Sequence, residues 1–302
     1  MPVFLVVLLL IFAGPVAAQQ DNAALRDAEQ AFAEGRFDEA LPVIEPAARA
    51  GDPVAQTLLG TAYESGEGKT QSVQMAQEWF TRAAEQDHGP AQLALGLMAL
   101  NGREGMPPDP QGAVEWLKRA MGQGEPDAYL ARAQMMLDGT GTSANPAAAA
   151  SLLLTALDLG APQAGLLLAE LYAKGDGLPQ DETRARAILV RAARMAYGPA
   201  LAQLAVMHEL GQGGPVDPVA AFALYQEAVS LGEVGAAVNL ALFMQQNDGY
   251  WTDPPLAHAY CLWGTRNAPD AQADQYEDQC ASLAEDLTEE ERDEGARIAA
   301  TF

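Results

Sequence analysis

One alanine recurs along this 302-residue chain at a nearly constant interval. It appears as Ala55, Ala91, Ala128, Ala164, Ala200 and Ala236, with separations of 36, 37, 36, 36 and 36. A second set, Ala40, Ala76, Ala113, Ala149, Ala185, Ala221 and Ala257, keeps the same interval. Around the second set apolar residues recur at i, i+3, i+4 and i+7, as in Ala76, Trp79, Phe80 and Ala83, the pattern of an amphipathic helix. A period of this length means one small unit copied many times: a helix, a short loop and a second helix. A lone unit cannot bury both of its faces, so its copies must stack, and alanine at a fixed turn lets neighbouring backbones approach closely. The expectation is an all-α, right-handed superhelical α-solenoid of about seven helix-loop-helix repeats with period 36.

The loops follow the same interval. Eleven residues beyond each alanine of the first set stand Gly66, Gly102, Gly139, Gly175, Gly211 and Asn247. Glycine and asparagine tolerate the left-handed backbone just past a helix end. Shortly afterwards come Ser72, Asp109, Asn145, Asp181, Asp217 and Asp253, all good N-caps. Pro110, Pro146, Pro218 and Pro254 follow four of them, at the first helical position. A glycine-rich loop ahead of a helix, such as Gly175-Asp176-Gly177, can also cradle phosphate. Its repetition, with asparagine replacing glycine in the final copy, marks it as a helix stop followed by a helix start.

Charge bears on partners. The chain has 17 basic and 41 acidic residues, a formal net charge of −24. Such a field repels nucleic acid and anionic lipid, and favours solubility or cationic partners. The first residues are apolar from Val3 to Ala13, and Gly14-Pro15 and the small residues Val16-Ala17-Ala18 follow. This reads as a secretory signal, residues 1–18, cut after Ala18. The apolar core is short for a bilayer span, so no membrane insertion is expected after cleavage, and an uncleaved anchor is the competing reading. Cys261 and Cys280 are the sole cysteines and, in an exported chain, are candidates for a disulfide; two reduced, buried thiols are the alternative.

Combined, Gly-x-Gly, a few residues, Asp, A-x-x-W-[YF]-x-x-A-A and A-x-x-x-L-G-x-x-Y resemble the Sel-1-like repeat, a relative of the tetratricopeptide repeat. The match is clearest in Ala76-Gln77-Glu78-Trp79-Phe80-Thr81-Arg82-Ala83-Ala84 and in Ala55-Gln56-Thr57-Leu58-Leu59-Gly60-Thr61-Ala62-Tyr63. The resemblance covers roughly residues 23 to 302. It implies a tetratricopeptide-like N-terminal hairpin over 19–51, a Sel-1-like solenoid over 52–266 and capping helices over 267–302. It also implies protein–protein interaction and assembly of complexes, often in the bacterial periplasm or at the envelope. Some cysteine-rich secreted members have been assigned β-lactamase-like activity, but those carry a cysteine pair in nearly every repeat. This chain has one pair.

Catalytic patterns are scarce. No serine stands three residues before Lys69, Lys118 or Lys174, and no G-x-S-x-G elbow occurs. The sequence His208-Glu209-Leu210-Gly211-Gln212 lacks the second histidine of a zinc-binding H-E-x-x-H. The histidines are expected on solvated helix faces or between repeats. No catalytic residue, metal or cofactor is therefore assigned. Trp79, Phe80, Trp116, Tyr225, Tyr260 and Trp263 recur on second helices and read as packing between repeats; a carbohydrate-stacking platform is the alternative. Tyr250 and Trp251, adjacent in a loop, read equally as contact residues or as a cover for the last hairpin.

In related repeats the first helices line a concave binding face, with asparagine just before the L-G pair. Here that position reads Leu58, Ala94, Ala131, Leu167, Gln203 and Asn239. The candidate partner-binding residues are thus Tyr129, Gln203 and Asn239, together with Tyr250 and Trp251. The reading is an exported scaffold for a protein or extended peptide in the periplasm or envelope. A cell-wall glycan or exopolysaccharide binding module and a β-lactamase-like hydrolase are its rivals.

Overall fold

A computed structural model describes residues 15–246 and 253–302, with side chains from Ala23 onward. The apolar segment Val3–Ala13 of the expected signal lies outside the described residues, as do Asn247, Tyr250 and Trp251. The chain divides into two compact units, the first ending at Ala128 and the second running from Tyr129 to Phe302. The first holds α1 (Pro15–Ala33), α2 (Phe37–Ala50), α3 (Pro53–Ser65), α4 (Val73–Ala84), α5 (Gly89–Asn101) and α6 (Pro110–Gly122). Helix α7 (Pro126–Asp138) starts at the end of that unit and otherwise belongs to the second. There it is followed by α8 (Pro146–Asp158), α9 (Pro162–Lys174), α10 (Glu182–Ala193), α11 (Gly198–Leu210) and α12 (Pro218–Ser230). Then come α13 (Val234–Gln246), α14 (Pro254–Asn267), α15 (Asp270–Glu285) and α16 (Glu289–Ala299). Among the described residues there is no strand, and the fold class is the all-α repeat solenoid.

The helix ends form where the sequence places their signals. Ser72, Asp109, Asn145, Asp181, Asp217 and Asp253 each accept a hydrogen bond from the backbone N–H three residues on. Such a cap is worth about 1 kcal/mol. Gly66, Gly175 and Gly211 close α3, α9 and α11 in the left-handed conformation. The second glycine of a G-x-G serves close packing at Gly68, Gly177 and Gly213. A Cβ on Gly177 would lie 2.3 Å from Pro146 at the start of α8, and one on Gly213 would lie 2.3 Å from the Glu182 carbonyl at the start of α10. These two loops thus seat directly on the preceding second helix. The longer loop after α5 absorbs its extra residue in a small bridge, with Arg103 and Met106 exchanging 2.8 Å backbone hydrogen bonds.

Large side chains at one register form the centre of each repeat. Phe80 and Leu117 in the first unit, and Leu153, Leu189 and Tyr225 in the second, are almost wholly buried. Each contributes about 2 kcal/mol through the apolar area it removes from water. The facing leucines of the first helices are Leu59 and Leu95, then Leu168, Leu204 and Leu240. That row is interrupted by Arg132, a few residues from the boundary between the units. In the first unit buried glutamines join successive repeats: Gln56 donates to the Ala48 carbonyl and Gln92 to that of Ala84.

The C-terminal helices seal the second unit. Cys261 of α14 and Cys280 of α15 form a disulfide with a Cα–Cα distance of 5.9 Å. Helix α16 opens with a capping box between Thr288 and Glu291 and packs on α14, where Gly295 sits over His258. The terminal Phe302 stacks on Tyr260 with ring centroids 5.1 Å apart.

Candidate functional site

A repeat presents its first helix to one side of the layer and its second helix to the other. On the first-helix side of the second unit, α9 and α11 border a cleft of about 310 Å³. Its walls carry Leu166, Glu170, Lys174, Gln203, Met207 and Gln212, and Ala185 and Leu189 of α10 form the floor. Gln203 is exposed at the rim. Its amide offers both a donor and an acceptor, the combination needed to pair with a peptide backbone. Lys174 is ion-paired with Glu170 of its own helix, and that hydrogen bond raises the ammonium pKa above its ordinary value.

Asn239 occupies the same register as Gln203 on the next first helix, α13, and is half-buried. The structure therefore carries the two amides on consecutive first helices, α11 and α13, with α12 between them in the chain. Tyr129 is placed differently. It stands two residues before that register on α7 and is half-buried, packed against the apolar core of the second unit. Tyr250 and Trp251 lie outside the described residues. Glu170, Met207 and Gln212 are cleft residues that the sequence reading missed. Their signal was present in part, since Met207 lies one helical turn beyond Gln203 and so on the same face.

The recurrent aromatics divide by burial. Trp79, Phe80, Tyr225 and Tyr260 are buried, whereas Trp116 and Trp263 are half-buried against the cores. The Tyr225 hydroxyl donates to Glu209 at 2.8 Å, and burial followed by that hydrogen bond pushes its pKa well above the ordinary tyrosine range. Among the described aromatic residues Phe302 alone is exposed.

The histidines are in three separate places. His88 Nδ1 lies 2.9 Å from the Thr57 hydroxyl, His208 meets Arg186, and His258 is buried beneath α16. Burial is the leading cause that lowers all three pKa values, with Arg186 and Arg292 adding to the effect at His208 and His258. Among the described residues no group of three or more His, Cys, Asp or Glu side chains is placed to hold a metal ion.

Comparison with known proteins agrees with this architecture. The model of the Sel1 repeat matches five consecutive segments, residues 53–88, 89–124, 126–160, 162–197 and 198–233. Each is one first helix and the second helix after it. Similar solved structures include a Sel1 repeat protein from Oxalobacter formigenes, 24% identical, with a TM-score of 0.67, covering 82% of this chain and 98% of that one. Another is a protective antigen of uropathogenic Escherichia coli strains displaying an SLR fold. It is 20% identical with a TM-score of 0.69, and the match covers 95% of this chain and 70% of that one. Both likenesses concern the fold. No curated protein matches the sequence.

Proposed function

The chain belongs to the Sel1 repeat family, and from that membership we propose that it is an exported scaffold that holds a protein or extended peptide in the periplasm or cell envelope. Proteins of this family are generally non-catalytic interaction scaffolds. The observation that carries the reading is the cleft beside Gln203, with Asn239 at the same register on the next first helix. Two amides one repeat apart suit backbone groups about three residues apart in an extended segment, while Leu166 and Met207 supply apolar contact. Tyr129, Tyr250 and Trp251 complete the proposed set of contact residues. Export is supported by the apolar start with its small-residue cleavage pattern and by the cysteine pair. No helix among the described residues is long and apolar enough to cross a membrane.

A glycan platform needs exposed rings, and the described residues offer little beyond Phe302. Protein binding is therefore the preferred reading. The test is affinity capture from the native envelope extract with the wild-type chain and with Gln203→Ala/Asn239→Ala. Loss of a protein partner in the double variant supports the proposal. Undiminished capture refutes the assignment of the surface. Retention of cell-wall glycan instead of protein, or turnover of nitrocefin, would move the function to the corresponding rival class.

A further inference from the structure

The second-helix side of the same unit holds another groove, with different chemistry. It has a volume of about 360 Å³ and runs between α8 and α10 over Leu168 and Tyr172 of α9. The α8 wall is uncharged: Ala147, Ala150, Ser151 and Leu154. The α10 wall is a single helical stripe, Arg184, Ala187, Ile188 and Arg191, so two guanidinium groups flank an apolar centre. Helix α10 and the turn after it, residues 182–194, hold four arginines and one acidic residue, in a chain with only 17 basic residues.

Both rim arginines are held in place. Arg184 lies over the Tyr172 ring, 4.5 Å from its centroid. Stacking uses the face of the guanidinium and leaves its N–H edges for hydrogen bonds. Arg191 is ion-paired with Asp158 at the end of α8. Immediately beyond that pair, Leu159 and Met195 are 44% and 41% exposed. They occupy one register a repeat apart, where earlier repeats carry Gln86 and Gln123. Apolar side chains are thus exposed just past the C-terminal ends of both walls, α8 and α10.

We propose that this groove is a docking site for an acidic amphipathic helix of a partner protein, separate from the first-helix cleft. Charge complementarity selects the occupant. Arg184 and Arg191 are two helical turns apart, about 10 Å along the axis. A partner helix with carboxylates seven residues apart meets both, as charge-assisted pairs. Its apolar side chains between them fill the space over Leu154 and Ile188 and reach Leu159 and Met195. The partner's carboxylate competes with Asp158 for Arg191 or shares it.

Panning a phage-displayed dodecapeptide library on the folded full-length chain tests this. Enriched peptides should carry two acidic residues seven apart around apolar ones. Arg184→Glu/Arg191→Glu should lower their capture about tenfold or more. Ser151→Glu, which puts a negative charge on the opposite wall at an exposed helical position, should do likewise. Circular dichroism checks that both variants keep their helices. Gln203→Ala/Asn239→Ala should leave capture intact, which separates failure here from failure of the first-helix assignment. No enrichment, enrichment of basic or uncharged peptides, or capture indifferent to either groove variant would each overturn the proposal.

Discussion

At the residue scale, the joints between repeats show where the chain departs from its own rule. Each second helix passes to the next first helix through a residue of positive φ: Gly51, Asp87, Gly124, Gly160, Ala196 and Gly232. Four are glycine, whereas Ala196, at φ 54°, bears a Cβ in a conformation that costs about 1–2 kcal/mol. Glycine gives back about 0.5–1 kcal/mol through its freer unfolded chain. Ala196→Gly should therefore stabilise by about 0.5 kcal/mol, seen as a higher urea midpoint; an unchanged or lower midpoint would contradict the strain argument.

His258 supplies a second prediction at this scale. It is buried under Gly295 and its Nδ1 has no hydrogen-bond partner, so burial and the nearby Arg292 hold its pKa below 6.5. The sign follows from proton uptake. Above the ordinary value both states are neutral and the histidine has no effect. As pH falls below it, the unfolded chain takes the proton first, and stability is lost until the folded-state pKa is passed. Urea midpoints should drop between about pH 7.5 and about pH 5.5, a window set by histidine titration. His258→Asn, which cannot be protonated there, should flatten that slope, leaving the parts due to His88 and His208. Parallel profiles for the two proteins would rule His258 out as a source.

At the scale of elements, helix pairs and their caps were legible because both signals are local. Apolar positions recur with the helical period, and each N-cap bonds a backbone N–H three residues away. The positive-φ turns between repeats were hidden, because Asp87 and Ala196 disguise a glycine position. The cysteine pairing could be anticipated from the count of two and the expected export, and in the folded chain the bond ties α15 to α14. It closes a loop with a sequence separation of 19, for which cross-linking is worth about 3 kcal/mol. Reduction should raise the mass by about two units, the two hydrogens gained by the sulfurs. It should also accelerate hydrogen exchange chiefly across residues 270–285. Exchange in α15 that ignores the reductant would show that packing alone holds this helix.

At the scale of the whole molecule, charge separates the two proposed surfaces. A net charge of −24 makes the Arg184–Arg191 stripe an exception to its surroundings, whereas the Gln203 cleft relies on neutral amides. Added salt should therefore weaken acidic peptides on the α8–α10 groove several-fold and change Gln203-dependent capture little. Equal salt sensitivity would mean that the two assignments describe one binding mode.

The all-α repeat architecture, its period, its caps and the family were legible in the order of the amino acids. In a repeat array each helix finds its neighbours at fixed sequence distances, so local pattern and long-range contact carry the same information. That order also pointed to Gln203 and Asn239, because they alone are polar at the position where related repeats carry asparagine. Which side chains meet across repeats emerges only in the folded chain. Tyr129 packs against the core, Arg184 stacks on Tyr172, Arg191 pairs with Asp158, and His258 lies sealed beneath α16. Periodicity specifies the backbone register between neighbours, but such contacts depend on rotamers and on the close fit of unlike residues at equivalent positions. There each repeat differs from the next.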